Sequence, residues 1–282
     1  MPAKEIDGKA LADSILAETK KLAAGLKLRA TNPSLAVILV GSSPASELYV
    51  EKKRQACGEA GIGFDLFRFK ETVSEKEVLS LIAELNPKFG VHGILVQLPL
   101  PKSLNRNRVL NSVSPLKDVD GFTSFNIGLL SHGIEDIVSC TALGILKLIE
   151  STGSKIEGSN VCIVNHSIVV GRPLAQLMLN RNATVTICNQ YTRNLAAFTS
   201  KADILVTAVG KAGLITADMV KAGAVVIDAG ILRHRGKTFG DVDFEAVYQK
   251  ASFITPVPGG VGPVTVACLL HNLVKLASLQ RT

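Results

Sequence analysis

The sequence predicts two α/β domains with parallel sheets, and three observations lead there. A chain of 282 residues, 47% of them hydrophobic, is long enough for more than one ordinary core. From Ser34 onward, short β-branched runs alternate with longer amphipathic stretches, the pattern of βαβ units. In the second half the repeating order is strand, glycine-bearing turn, helix, which belongs to doubly wound sheets.

Taken in order, Ser34 to Val40 (SLAVILV) reads as a buried strand, Glu47 to Ala60 as a helix, Phe64 to Phe69 as a strand and Ser74 to Leu85 as a helix. Gly93 to Gln97 (GILVQ) is the next strand. Pro99 and Pro101 stop regular structure after it, since each lacks a backbone donor and restricts the residue before it. A first domain over 1–119 follows, completed by an apolar helix at 264–282 that is expected to pack back on it. Residues 120–263 form the second domain. A loop from Lys117 to Gly128 and a helix from Thr141 to Glu150 lead into its strands. Strands at Asn160 to Val164, Thr184 to Cys188, Ile204 to Val206 and Val225 to Asp228 follow, with helices starting at Arg172, Arg193 and Thr216.

Composition narrows the function classes. No apolar run follows the first lysine in Met1-Pro2-Ala3-Lys4-Glu5, and no later segment is expected to reach the roughly 20 apolar residues of a membrane span. A cytoplasmic protein is therefore expected. Five scattered cysteines without a Cys-x-x-Cys pair suggest buried thiols, with no disulfide framework and no metal site. The formal charge of +7 suits a small polyanionic ligand better than nucleic acid, because aromatics are only 5% of the chain and are not interleaved with basic runs.

Three constellations stand out. Tyr49 and Lys53 are four apart and share one helix face, a pattern that a solvated lysine beside a half-buried tyrosine also produces. Gln97 ends a strand where ligands collect in open α/β sheets. Asp118 and Asp120 lie on a glycine-bearing loop. Such pairs are usually turn formers, but one carboxylate can accept two parallel N–H bonds from an amidine-like ring edge, as on a pterin.

Four segments, Ser46-x-x-Tyr49-x-x-x-Lys53, Val96-Gln97-Leu98-Pro99-Leu100-Pro101, Lys117-Asp118-Val119-Asp120-Gly121 and Pro256-Val257-Pro258-Gly259-Gly260-Val261-Gly262-Pro263-x-Thr265, resemble in order the signatures of the bifunctional methylenetetrahydrofolate dehydrogenase/cyclohydrolase family. The resemblance implies an active site in a cleft flanked by the two domains, and a homodimer. It gives Lys53 the role of the cyclohydrolase lysine, Gln97 that of its hydrogen-bond partner, Tyr49 that of a ring along the folate and Asp120 that of the pterin anchor. Ser46, Val96, Leu98, Pro256, Gly259 and Gly260 would line the substrate.

For the second domain the resemblance implies a Rossmann-like NADP site, with NAD as the alternative. Its residues would be Asn165, His166, Ser167, Val170, Gly171, Arg172, Pro173, Gln190, Ala208, Val209, Gly210, Gly230, Ile231 and Thr265. Gly171 and Pro173 fit a helix start facing phosphate. The family's Gly-Arg-Ser is Asn165-His166-Ser167 here, so Asn165 is expected to adopt the left-handed backbone of the glycine, and His166, Arg172 or Arg193 to supply the missing charge. No carboxylate stands at the end of Thr184 to Cys188 to hold a ribose hydroxyl, which favours NADP. Ser139-Cys140-Thr141-Ala142 lacks the family's prolines. The competing readings are another two-domain NADP-dependent dehydrogenase, a monofunctional cyclohydrolase, and a non-catalytic relative with a degraded cofactor site.

Overall fold

The computed structural model describes residues 2–234 and 236–280. In chain order the elements are β1 (Lys4–Glu5), α1 (Gly8–Lys27), β2 (Ser34–Val40), α2 (Pro44–Ala60), β3 (Gly63–Phe69), α3 (Glu75–Leu85), β4 (Gly93–Val96), α4 (Arg106–Asn111), α5 (Ser124–Ser131) and α6 (Cys140–Ser151). Then come β5 (Asn160–Val164), α7 (Gly171–Leu179), β6 (Thr184–Cys188), α8 (Ala196–Thr199), β7 (Ile204–Thr207), β8 (Val225–Asp228), β9 (Leu232–His234), β10 (Lys237–Phe239), α9 (Phe244–Tyr248), β11 (Phe253–Ile254) and α10 (Val261–Leu279).

The chain divides into two compact units. One comprises 13–129, 136–140 and 266–282, the other 1–12, 130–135 and 141–265. The division differs from the expected 1–119 and 120–263 in two places: 120–129 and 136–140 fall with the first unit, and the N-terminus falls with the second, because β1 pairs in parallel with β11 and so belongs to the second sheet. The first unit holds a parallel sheet of order β3-β2-β4. Residues Leu35 to Val40 of its central strand are all buried, as a strand covered on both faces requires. Gly93 on β4 has no room for a side chain, because a Cβ there would run into Val119 and Leu273. The C-terminal part of α10 therefore packs on this sheet.

The second unit holds a parallel sheet of order β1-β11-β8-β7-β5-β6. Its core gathers Cys162, Val164, Leu205, Val226 and Ile254 with residues of the flanking segments, including Ile215 and Val247. The order reverses at β5, which has β6 on one side and β7 on the other. In a doubly wound sheet that reversal opens a crevice at the carboxyl ends of β5 and β7.

Several expectations need correction. The loop from Lys117 to Gly128 is overrun by α5. No helix starts at Arg193: Asn194 has φ 49°, and only the single turn α8 follows. Thr216 precedes a three-residue 3₁₀ turn, Ala217–Met219, rather than a helix. Among the described residues one helix, α10, is long and apolar enough to cross a membrane by length and composition, contrary to the expectation, yet 61% of its 18-residue apolar window is buried inside the protein.

Candidate active site

In the first unit the reversal of strand order falls at β2, between β3 and β4. Helix α2 leaves the end of β2, and its residues Ser46, Tyr49 and Lys53 recur at i, i+3 and i+7, so they share one face. Ser46 is buried, while Tyr49 and Lys53 are half-buried. Lys53 Nζ donates to Gln97 Oε1 at 2.9 Å. Gln97 itself lies just past β4, held by its backbone N–H on Ile38 O at 2.9 Å, and its Nε2 donates to Leu98 O at 2.8 Å. Both ends of the amide are thus fixed, and its orientation presents oxygen to the amine.

Burial pushes the Lys53 ammonium below the ordinary lysine range, and the nearby Asp120 carboxylate opposes that shift. Asp120 moves the other way. Burial raises it to about 6, with Lys53 pulling it down and Asp118 adding to the rise. A desolvated amine and a desolvated carboxyl are therefore drawn toward one another on the pH scale, which eases proton exchange at this site.

The two loop acids turn out to have different work. Asp118 is buried and accepts from Phe122 N (3.2 Å), Thr123 N (2.8 Å) and Asn126 Nδ2 (2.9 Å), so it builds the loop and the start of α5. The segment also lies beside β4 through a parallel bridge between Ile94 and Asp118. Gly121 at φ 67° turns the chain where a Cβ would crowd the Ile137–Ser139 backbone. Asp120 is left facing Lys53 and Cys140, whose thiol also donates to Val119 O at 3.3 Å.

In the second unit the turn after β5 is built differently from expectation. Asn165 is not among the residues with positive φ. Its side chain closes the turn instead: Oδ1 accepts from Ser167 N (2.8 Å), Ser167 Oγ (2.7 Å) and Gly171 N (3.0 Å), and Nδ2 donates to Ala208 O (2.6 Å). That last bond spans the carboxyl ends of β5 and β7, across the strand-order reversal. Short polar side chains make such local backbone bonds readily, so an asparagine can replace the geometry that a glycine would reach through its own φ. Gly171 cannot be replaced so easily, because a Cβ would strike the Asn165 carbonyl. Arg172 Nε donates to His166 O at 3.1 Å, which tethers this guanidinium to the same turn. Pro173 and Val170 are buried, whereas His166, Gln190 and Arg193 are exposed.

The expected site residues therefore fall into two groups. Lys53, Gln97, Tyr49, Ser46, Val96, Leu98 and Asp120 belong to the first unit; Asn165 through Pro173, Gln190, Ala208 to Gly210, Gly230, Ile231, Pro256, Gly259, Gly260 and Thr265 belong to the second. Thr265 Oγ1 is bonded to Val261 O at 3.0 Å within α10. Two acids carry much of the second group's geometry: Asp228, which heads the segment Asp228-Ala229-Gly230-Ile231 that resembles a cofactor-lining turn of the family, and Asp241, which the sequence did not single out. No local motif marks Asp241, which gains its meaning only from the turn it meets 30 to 34 residues upstream.

A dinucleotide fits the residues of the second unit. The first turn is too tight for any side chain at Gly171, a helix of nine residues starts there, and among the described residues no carboxylate stands at the tip of β6, where Cys188 and Asn189 lie. A doubly wound sheet of this kind, in a chain whose other unit holds a desolvated lysine, defines a dinucleotide-linked α/β enzyme. The catalytic domain of tetrahydrofolate dehydrogenase/cyclohydrolase matches residues 6–120, and the NAD(P)-binding domain of the same enzymes matches residues 139–281. The chain belongs to the tetrahydrofolate dehydrogenase/cyclohydrolase family. It is 52% identical over 278 residues to the bifunctional protein FolD of Nitrosospira multiformis, covering 98% of this chain and 96% of that protein. The bifunctional FolD of Campylobacter jejuni has a crystal structure that matches at 45% identity and a TM-score of 0.96, covering 99% of this chain and 100% of that one. The methylenetetrahydrofolate dehydrogenase-cyclohydrolase of Trypanosoma brucei, solved with NADP cofactor and an inhibitor, matches at 33% identity and a TM-score of 0.95 over the whole of both chains.

Proposed function

We infer that this protein oxidises methylenetetrahydrofolate to methenyltetrahydrofolate with NADP and then hydrolyses the product to formyltetrahydrofolate. The observation that carries the reading is the Lys53–Gln97 contact of 2.9 Å, with Asp120 beside it, in a chain whose family membership extends over both domains.

In the hydrolytic step, water adds to the methenyl carbon and gives up both of its protons, one taken by the ring nitrogen freed as its C–N bond breaks and the other released to solvent. Lys53 is the group we assign to that exchange: burial weakens its hold on its own proton, and Gln97 Oε1 fixes the position of Nζ. Asp120 is assigned to the N–H edge of the pterin, which its carboxylate can accept in pairs. Tyr49 offers a flat apolar face with few rotors to freeze. Ser46, Val96 and Leu98 are assigned to the surrounding wall.

When bound, NADP supplies the hydride acceptor of the oxidative step. Asn165, Ser167, Gly171 and Pro173 are assigned to its first turn, Gln190 to the tip of β6, and Ala208 to Gly210 with Gly230 and Ile231 to the later turns. Arg172, tethered over the first turn, is assigned to the extra phosphate, and its charge together with the lack of an acid at the β6 tip is why NADP is preferred to NAD. Pro256, Gly259 and Gly260 are assigned to the substrate and Thr265 to the cofactor. A homodimer in the cytoplasm completes the reading. The five cysteines, all free and buried, support a reducing compartment, and light scattering near twice 29.8 kDa is the result expected for the dimer.

The deciding assay mixes the protein with methylenetetrahydrofolate and either NADP or NAD, following reduced nicotinamide and methenyl absorbance together. Reduction of NADP with transient methenyl absorbance is expected; reduction of NAD alone overturns the cofactor preference, and reduction of neither overturns the oxidative half.

A further inference from the structure

We propose that Asp241 is a positioning residue for the dinucleotide: its carboxylate fixes the turn Thr207–Lys211, which the functional reading above places beside the nicotinamide. Asp241 is fully buried. Its Oδ2 accepts from Thr207 Oγ1 (2.7 Å) and Val209 N (2.6 Å), and its Oδ1 from Gly210 N (2.7 Å) and Lys211 N (2.7 Å). A carboxylate has about four lone-pair sites, so this one is saturated by donors from a single turn.

Three successive backbone N–H groups converging on an anion form a nest of the kind that elsewhere binds phosphate. Here the anion is the protein's own side chain. The nest is occupied from within, so a dinucleotide phosphate has no access to these three N–H groups. At its tip the turn offers an apolar, small surface outward, with Val209 half exposed and Gly210 at φ 80°, while the exposed Lys211 closes it. That surface suits the flat amide-bearing ring of nicotinamide rather than its phosphates. The carbonyl of Ala208 is held as well, by Asn165 Nδ2 at 2.6 Å, so two side chains fix both the donors and an acceptor of the turn.

Asp241 is itself located by Asp228. Asp241 N donates to Asp228 Oδ1 at 3.0 Å, Val242 N to Asp228 Oδ2 at 2.9 Å and Gly230 N to Asp228 Oδ1 at 2.9 Å. Thr207 and Asp228 are partners in the ladder between β7 and β8. Gly230 and Gly240 complete the packing, since a Cβ on the first would run into the Asp241 carboxyl and a Cβ on the second into that of Asp228. The two later turns are thus moulded around two buried acids, and Asp241 is the one whose oxygens reach the turn at β7.

The test is the variant Asp241→Asn. Its Nδ2 would face N–H donors, and no orientation of the amide satisfies all four. NADP binding by the cofactor-free variant, measured by calorimetry, is expected to weaken at least tenfold, and the KM for NADP to rise in parallel. Hydrolysis of methenyltetrahydrofolate, which uses no dinucleotide, should stay within twofold of the unaltered protein. Hydrogen exchange at Val209, Gly210 and Lys211 should quicken. Thr207→Val, which removes one of the four donors and keeps the acid, should weaken NADP binding about three- to fivefold and serves as the comparison if Asp241→Asn does not accumulate folded protein. NADP affinity unchanged in either folded variant overturns the role, as does a parallel fall of both activities with the melting temperature. If the unaltered protein binds no NADP, it is the functional reading that fails, and this role fails with it.

Discussion

Replacing Lys53 by methionine isolates the hydrolytic chemistry with little disturbance of packing. Methionine has nearly the length of the lysine stem and no charge, so the half-buried slot on α2 stays filled and a desolvated ammonium is removed. Gln97 keeps its bond to Leu98 O and loses only the 2.9 Å contact at Oε1. The fold should therefore melt within about 1 kcal/mol of the unaltered protein, the scale of one net hydrogen bond. The rate is another matter. A positioned proton-transfer group contributes about 10²- to 10⁴-fold, or about 3 to 5.5 kcal/mol of barrier at about 1.36 kcal/mol per decade. We expect decay of methenyl absorbance to slow by that factor while NADP reduction with methylenetetrahydrofolate continues. A hydrolysis rate within threefold of the unaltered enzyme, in a folded variant, would refute the assignment of Lys53.

Asp120 should impose an acid limb on hydrolysis: its carboxyl is raised to about 6, so it is the carboxylate above that pH and is lost as pH falls through it. A kcat/KM profile from pH 5 to 8 should show that limb, and Asp120→Asn should lack it. Asn165→Ala should cost about 1–3 kcal/mol in chemical denaturation, since Gly171 N and Ala208 O lose their partner together; a loss below about 0.5 kcal/mol counts against the side chain as the closure of the turn. Gly171→Ala should be worse than Asn165→Ala for both stability and NADP binding, because the added Cβ meets backbone rather than a movable side chain. Arg172→Gln should raise the KM for NADP and leave that for NAD unchanged, and an equal effect on both would remove Arg172 from the extra phosphate.

Much of the fold was legible because a parallel strand buried on both faces writes itself as an unbroken β-branched run. Ser34 to Val40, Asn160 to Val164 and Val225 to Asp228 have the bounds that hydropathy gave them, and so does the edge strand Thr184 to Cys188, of which only Cys188 is buried. Short elements were not legible. β1 and β11 have two residues each and exist only through pairing with partners far along the chain. The long helix α1, between β1 and β2, was not read, although its periodicity is ordinary. In the site, Lys53, Gln97 and Asp120 could be found because each is close to a strand end or on a short motif. The separate task of Asp118 could not, since nothing in Asp118-Val119-Asp120 says which acid turns inward to Phe122, Thr123 and Asn126.

The departure at Asn165 bears on whether the cofactor half is still in use. A disused site has no reason to keep positions where a single methyl group collides with backbone or with a buried acid. This chain keeps Gly171 against the Asn165 carbonyl, Gly230 against Asp241 and Gly240 against Asp228. It also keeps Asp241 saturated by the turn at β7. Asparagine at 165 fits this pattern as a substitution of means: where a glycine would let the backbone bend, the side chain bonds across the crevice from β5 to β7 and caps the N–H of Gly171. The cap has a consequence of its own. A dinucleotide phosphate approaching the start of α7 meets an N–H that already has an acceptor, so it must share or displace Asn165 Oδ1. The geometry therefore favours a retained dinucleotide site that binds less tightly than one with glycine at this position, over a relative that has abandoned the cofactor.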